Sequence, residues 1–184
     1  MASWTDIADL RIQPGQTLAS SDDWEGLLDN LELIAHPPAV LVQLDTAQPL
    51  PNDTPSAVEW TSAAWQEDRW GLLWESASPS KLVIPVAGKW RFTPSIHIPT
   101  ISGTGTSVRE FSLRVNGNTN RVKRAIIGGR WETSQSWARR MQQGDDVDII
   151  VNQTSGETGE ISETRTLLVA EWCGFAPGAG WTAA

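Results

Sequence analysis

The spacing of apolar residues changes once along the chain, at the proline pair Pro37-Pro38. Before the prolines, apolar residues recur every three or four positions, which is the period of one face of a helix. After them, apolar and polar residues alternate, which is the period of a strand with one buried face. Because proline cannot continue a helical hydrogen-bond ladder, the pair ends the first pattern. The change predicts a short helical segment followed by a β-domain.

Residues 1–38 are predicted to form an N-terminal attachment arm that consists of a turn at Pro14-Gly15 and one amphipathic helix capped by Ser21. An isolated helix of about fifteen residues is marginal in water, so its apolar stripe has to dock on a sister arm or on a host surface in a particle. Acidic residues around the stripe favour a basic partner. The predicted attachment stripe consists of Trp24, Leu27, Leu28, Leu31 and Ile34.

The segment "GKWRFTPSIHIP" shows the strand period most clearly, with Trp90, Phe92, Ile96 and Ile98 on one face. The same alternation runs through "AVLVQL", "SVREFSLRV" and "DDVDIIV", and "DRWGLLWE" is predicted to be a further strand. Asn116-Gly117 between two alternating runs indicates a hairpin, because both residues tolerate positive φ. Eight or more short strands with Gly/Asn turns predict an all-β antiparallel sandwich or barrel.

The last predicted strand, "TRTLLVAEWCGF", is apolar on both faces. A strand with one wet face should alternate, so this one is covered either by its own domain or by another subunit. Ile150 also lies on the outward face of its strand. The predicted interface between subunits consists of Ile150, Leu167, Leu168, Val169, Ala170 and Trp172.

Charge is distributed in blocks along the chain. Residues 1–75 hold thirteen acids and two bases, residues 76–143 hold eleven bases and two acids, and residues 144–184 hold seven acids and one base. Such blocks are either solvated surface or complementary faces of neighbouring subunits. The net charge of −8 disfavours nucleic-acid binding, and no apolar run is long enough for membrane insertion.

The residues that could carry chemistry do not converge in the sequence. His97 is predicted to lie on the polar face of its strand, and His36 precedes two prolines at a helix end. Cys173, the only cysteine, is predicted to be buried and inert. The acids in "GDDVD" lack the spacing of a calcium loop. We therefore expect no enzyme, no metal site and no cofactor.

The order of these segments resembles the TNF-like jelly roll, the family of the globular head of the first complement component. Gly88, Trp90 and Phe92 stand where that family has Gly-x-Tyr-x-Phe, with Trp in place of Tyr. "MQQGDDVDIIVNQTSG" looks like that family's segment of a leucine, two residues, Gly-Asp and a strand, with Met141 in the leucine position. "LLVAEWCGF" sits where the family's final strand runs, and the resemblance covers residues 39–176. It implies a jelly-roll homotrimer whose final strands lie near the threefold axis, followed here by a tail at 177–184.

The segment "PGQTLASSDDWEGLLDNL", with its proline step into a β-domain, is similar to the start of many small tailed-phage virion proteins. This similarity implies a bacteriophage virion structural protein of the capsid-decoration or head-fibre type, bound to major capsid or tail proteins. A minor tail protein, or a module that binds a receptor or host-surface glycan, is the alternative. The implied location is the virion surface, after assembly in the bacterial host cytoplasm.

Overall fold

A computed structural model of the chain describes residues 21–101, 107–127 and 129–174, and of residues 21–27, 126 and 127 it describes the backbone alone. The chain divides into two compact units, Met1–Pro37 and Pro38–Ala184. The predicted turn at Pro14-Gly15 and the predicted tail at 177–184 lie outside the described residues.

The first unit contains helix α1, Ser21–Ala35. Ser21, the predicted cap, is the first residue of the helix, which ends two residues before Pro37. Within the described part of the chain, no helix combines the length and the apolar character that a membrane span requires.

The second unit is a sandwich of antiparallel strands, which confirms the predicted fold class. Its strands are β1 (Ala39–Gln43), β2 (Gln48–Leu50), β3 (Ser56–Ala57), β4 (Ser62–Gln66), β5 (Leu82–Val83), β6 (Gly88–Ile98), β7 (Ser107–Val115), β8 (Asn118–Ile127), β9 (Trp131–Ser134), β10 (Trp137–Met141), β11 (Asp146–Gln153), β12 (Gly159–Ile161) and β13 (Leu167–Gly174).

The strands form two main sheets. In the first sheet the strand order is β10-β6-β13-β1-β4, and β9 also pairs with β6. In the second sheet the order is β3-β11-β7-β8, and β5 also pairs with β11. Strands β12 and β2 form a separate pair.

The core between the two sheets is built by alternation, as predicted. Trp90, Phe92, Ile96 and Ile98 of β6 are all fully buried. From the second sheet, Phe111 packs its ring against two tryptophans of the first sheet. Its centroid lies 5.8 Å from that of Trp131 and 5.4 Å from that of Trp137. The indole rings supply much of the apolar area that holds the sheets together.

The structure confirms one local prediction, a hairpin turn, and contradicts another, a strand. Asn116 and Gly117 have φ values of 49° and 77°, so the predicted β7–β8 hairpin turn is confirmed. The predicted strand at "DRWGLLWE" is wrong: only Trp74 makes an isolated bridge there, to Leu82. Gly71 interrupts the extended run with a φ of 112°, and Leu73 rather than Leu72 is buried.

A cationic side chain lies inside the sandwich. Arg109 of β7 is 1% exposed, and its Nη1 donates to the carbonyl oxygens of Ile98 and Pro99 at 3.3 Å each. Burial lowers the pKa of this guanidinium from its ordinary value, because a charge is disfavoured where water is absent. The two hydrogen bonds tie the end of β6 to β7.

Gly88, the glycine of the Gly-x-Trp-x-Phe motif, lies directly beneath the indole ring of Trp172. A Cβ atom at this position would sit 2.1 Å from Trp172 Nε1. The indole N–H donates to the carbonyl oxygen of Ala87 at 3.3 Å, which holds the ring in place. The first position of the motif therefore has to lack a side chain.

We predict that Gly88→Ala lowers the free energy of unfolding by about 1–3 kcal/mol, the usual range for overpacking a well-packed site. Urea denaturation measures the change. The control is the same substitution in a Trp172→Leu background, where the clash with the indole is gone. The two substitutions should then cost less together than the sum of their separate effects. Additive costs would contradict the clash.

Candidate self-association face

The outer surface of the first sheet carries an apolar row that crosses three strands. Leu41 of β1 is the register partner of Trp65 on one side and of Val169 on the other. Partners in an antiparallel register present their side chains on the same face. Trp65 is 55% exposed, while Leu41 and Val169 are half-buried. An apolar row of this kind is left partly uncovered by the chain's own fold.

The row on one side of it adds Leu167, and the row on the other side adds an ion pair. Leu167 is half-buried between its register partners Gln43 and Ser95. On the other side, Arg91 and Glu171 form an ion pair at 3.2 Å. We call Leu41, Trp65, Leu167 and Val169 the outer apolar face.

Strand β13 divides the predicted interface residues between two environments. Leu167 and Val169 point outward, into the outer apolar face. Leu168, Ala170 and Trp172 are buried within a single chain, because their side of the strand faces the second sheet. They have no surface to offer a neighbouring subunit, so we reassign these three residues to the core.

Ile150 lies on the other sheet. It belongs to β11, where its register partners are Ala57 of β3 and Ser112 of β7. Its neighbours Ile149 and Val151 face the core, so Ile150 points away from it, on the opposite side of the sandwich from Val169. Ile150 is therefore not part of the outer apolar face, and whether it contacts a second copy stays a prediction.

Sequence reasoning missed Trp65. The segment "SAAWQ" is short and has no clear alternation, so its pattern does not predict a strand. As β4 it forms the edge of the first sheet next to β1. The sequence did offer one signal for an exposed ring. Trp65 is surrounded in its own segment by small and polar residues, which provide no large apolar side chains to cover it.

The predicted attachment stripe is accessible where the structure describes it. Leu28, Leu31 and Ile34 are 59%, 53% and 58% exposed. Leu33 and Asn30, on another side of α1, are buried. The side chains of Trp24 and Leu27 lie outside the described residues. The role of the stripe in attachment stays a prediction.

One ring nitrogen of His97 is hydrogen-bonded to the backbone, and the other is buried. Its Nδ1 lies 3.0 Å from the carbonyl oxygen of Thr164, which accepts the ring N–H. Its Nε2 is buried without a hydrogen-bond partner. Glu132, the register partner of His97, accepts a 2.7 Å hydrogen bond from Arg165, which lowers the pKa of that carboxyl. The nitrogen that would act as a base is not open to a substrate.

Cys173 is exposed, which corrects the prediction that it is buried. It follows Trp172 on the outward side of β13, where no second sheet covers it. Its Sγ lies 3.6 Å from the carbonyl oxygen of Glu171.

The acids of "GDDVD" are each engaged by a structural partner. Asp145 accepts hydrogen bonds from the backbone N–H of Gln142 and from Asn116 Nδ2, both at 2.7 Å. Asp146 accepts from Lys81 at 2.5 Å. Asp148 is buried and holds Arg114 through both oxygens, and this hydrogen bonding raises the pKa of the guanidinium. Among the described residues, no group of His, Cys, Asp or Glu side chains is placed to hold a metal ion.

No protein-family model matches the chain. No curated protein matches it either. Solved structures do resemble it. Murine APRIL at pH 5.0 aligns with a TM-score of 0.55 and 12% identity, over 74% of this chain and 98% of that one. The Eiger TNF of S. frugiperda aligns with a TM-score of 0.55 and 9% identity, over 79% of this chain and 98% of that one.

Identities this low show a shared fold rather than a shared function. Together with the strand order, these likenesses show that the chain folds as a TNF-like jelly roll.

Proposed function

We propose that the chain is a non-enzymatic structural protein that assembles into a homotrimer through its outer apolar face. The observation that carries this proposal is Trp65, a large exposed ring aligned with Leu41 and Val169. A buried tryptophan removes about 150–250 Å² from water, and each Å² contributes about 25 cal/mol. The TNF-like resemblance supports three copies, because the final strands of that family lie near a threefold axis.

We also propose that the trimer is a component of a bacteriophage virion, either a capsid decoration or a head fibre. Attachment is assigned to α1, whose apolar side chains Leu28, Leu31 and Ile34 are exposed in a single chain. The similarity of the arm to those of tailed-phage virion proteins supports this assignment. If the trimer is instead a minor tail protein, it attaches to the tail through the same arm.

A glycan-binding module is the second candidate, and the exposed ring of Trp65 is the observation that favours it. Sugars, however, bind through hydroxyl hydrogen bonds as well as by stacking on an aromatic ring. Leu41 and Val169, which continue the row from Trp65 across β1 and β13, offer only aliphatic side chains. The row therefore suits a second protein chain better than a sugar.

Val169→Asp should convert the trimer into folded monomers. A carboxylate buried at the contact without a partner costs about 3–5 kcal/mol, which weakens association more than a hundredfold. Gel filtration coupled to light scattering measures the mass. The matched control is Val122→Asp, the same substitution at a 53% exposed valine of β8 in the second sheet. Loss of the trimer in both variants, or in neither, would argue against the outer apolar face.

The absence of catalysis can be tested at His97 and Cys173. His97→Ala removes one hydrogen bond, to the carbonyl oxygen of Thr164, and should lower the free energy of unfolding by about 1 kcal/mol. Cys173→Ser changes an exposed thiol and should be neutral. Neither variant should alter trimer mass or virion incorporation. A hydrolytic activity of the wild type that disappears in folded His97→Ala would overturn the non-enzymatic assignment.

Deleting residues 1–36 should leave a folded trimer that no longer joins the virion, because the deletion removes α1 and spares the second unit. Occupancy on purified virions measures the loss. As a control, residues 1–36 fused to an unrelated trimeric protein should carry that protein to the particle. Normal occupancy of the truncated protein would place attachment in the jelly roll instead.

A further inference from the structure

The apolar residues of α1 follow the spacing of a coiled coil. Trp24, Leu27, Leu31 and Ile34 are separated by three, four and three residues, which is the a-d-a-d pattern of two heptads. These positions form one seam along the helix. Leu31 and Ile34, the seam residues whose side chains are described, are more than half exposed. Within a single chain, these two described seam residues are therefore left uncovered.

The acidic residues of α1 lie where they would not repel one another if the seam packed against the same seam of other copies. In the same heptad register, Glu25 and Glu32 occupy b positions, while Asp22 and Asp29 occupy f positions. Positions b and f point away from the seam of a coiled coil. Only Asp23 falls at a flanking g position. Repulsion between sister helices is thereby kept away from the contact.

The residue types in the seam favour three strands. Leucine at an a position combined with isoleucine at a d position shifts coiled coils from dimers towards trimers and tetramers. Leu31 and Ile34 are such a pair, and they are the seam residues nearest to the β-domain. The seam therefore matches the stoichiometry proposed for the jelly roll.

The connection to the β-domain brings the helices of one trimer together. Only His36, Pro37 and Pro38 separate α1 from β1, the strand that contributes Leu41 to the outer apolar face. Joining three copies through that face tethers their helices at an effective concentration of about millimolar. Helices that run along a threefold axis all point the same way, so a bundle formed by them is parallel.

We propose that the three α1 helices of a trimer pack into a short parallel coiled coil through Trp24, Leu27, Leu31 and Ile34. This inference rests on the proposed homotrimer and names the occupant of the apolar stripe: two further copies of the same helix. The acids at the b and f positions then face outward around the bundle. They form the surface that meets a basic site on the particle. The apolar stripe then serves attachment indirectly, because it holds the three arms together and does not itself contact the particle.

Disulfide trapping tests the bundle. Leu31→Cys and Asp29→Cys are each made in a Cys173→Ser background, because the native cysteine is exposed and could pair by itself. A disulfide requires Cα atoms about 4.4–6.8 Å apart. Residues at the seam of a coiled coil meet this distance, whereas f positions lie about two helix diameters, or about 20 Å, apart. Mild oxidation should give disulfide-linked dimers for Leu31→Cys and none for Asp29→Cys.

Light scattering on the same samples tests the coiled coil separately from the homotrimer on which it rests. A trimer mass without cross-linking at Leu31→Cys would overturn the bundle and leave the trimer standing. Equal cross-linking at both positions would also overturn it, because that result reports random collisions between arms. A monomer mass would overturn the homotrimer and the bundle together.

Discussion

The position of β13 at the centre of the first sheet is the constraint on which the rest of the structure depends. Hydrogen-bonded to β6 on one side and β1 on the other, it presents Leu168 and Ala170 to the core. At its end Trp172 covers Gly88, so the strand also closes the end of β6. Its other side presents Leu167 and Val169, which the chain's own fold leaves partly exposed. One strand thus builds the core and defines the surface proposed for assembly.

The two sheets have different outer surfaces. That of the first sheet has an apolar centre bordered by the Arg91–Glu171 ion pair. On that of the second, the apolar side chains Ile150 and Val122 are separated by Ser112. They are accompanied by ion pairs within the chain, Arg114 with Asp148 and Arg124 with Glu110. Charges satisfied within one chain gain little from a new neighbour, whereas exposed apolar area gains directly from burial. This difference is why self-association is assigned to the first sheet.

Alternation along single strands was readable from the sequence, because side chains of a strand point to opposite faces whatever the neighbouring strands are. It placed Trp90 and Phe92 in the core correctly. What could not be read was which strands share a sheet, since that depends on contacts between distant segments. Ile150 was therefore grouped with β13 although it lies on the opposite sheet, and Trp65 was overlooked at a short edge strand. Cys173 was judged from the apolar character of its strand, although its side of β13 is uncovered.

The most direct test of the account is the mass of the unmodified chain in solution. The chain has a mass of 20.1 kDa, and sedimentation equilibrium at micromolar concentration should give three times this value. The apparent mass should stay constant on moderate addition of salt, because the contact is apolar and salt screens mainly exposed charges. A mass of 20.1 kDa under these conditions would contradict self-association through the outer apolar face.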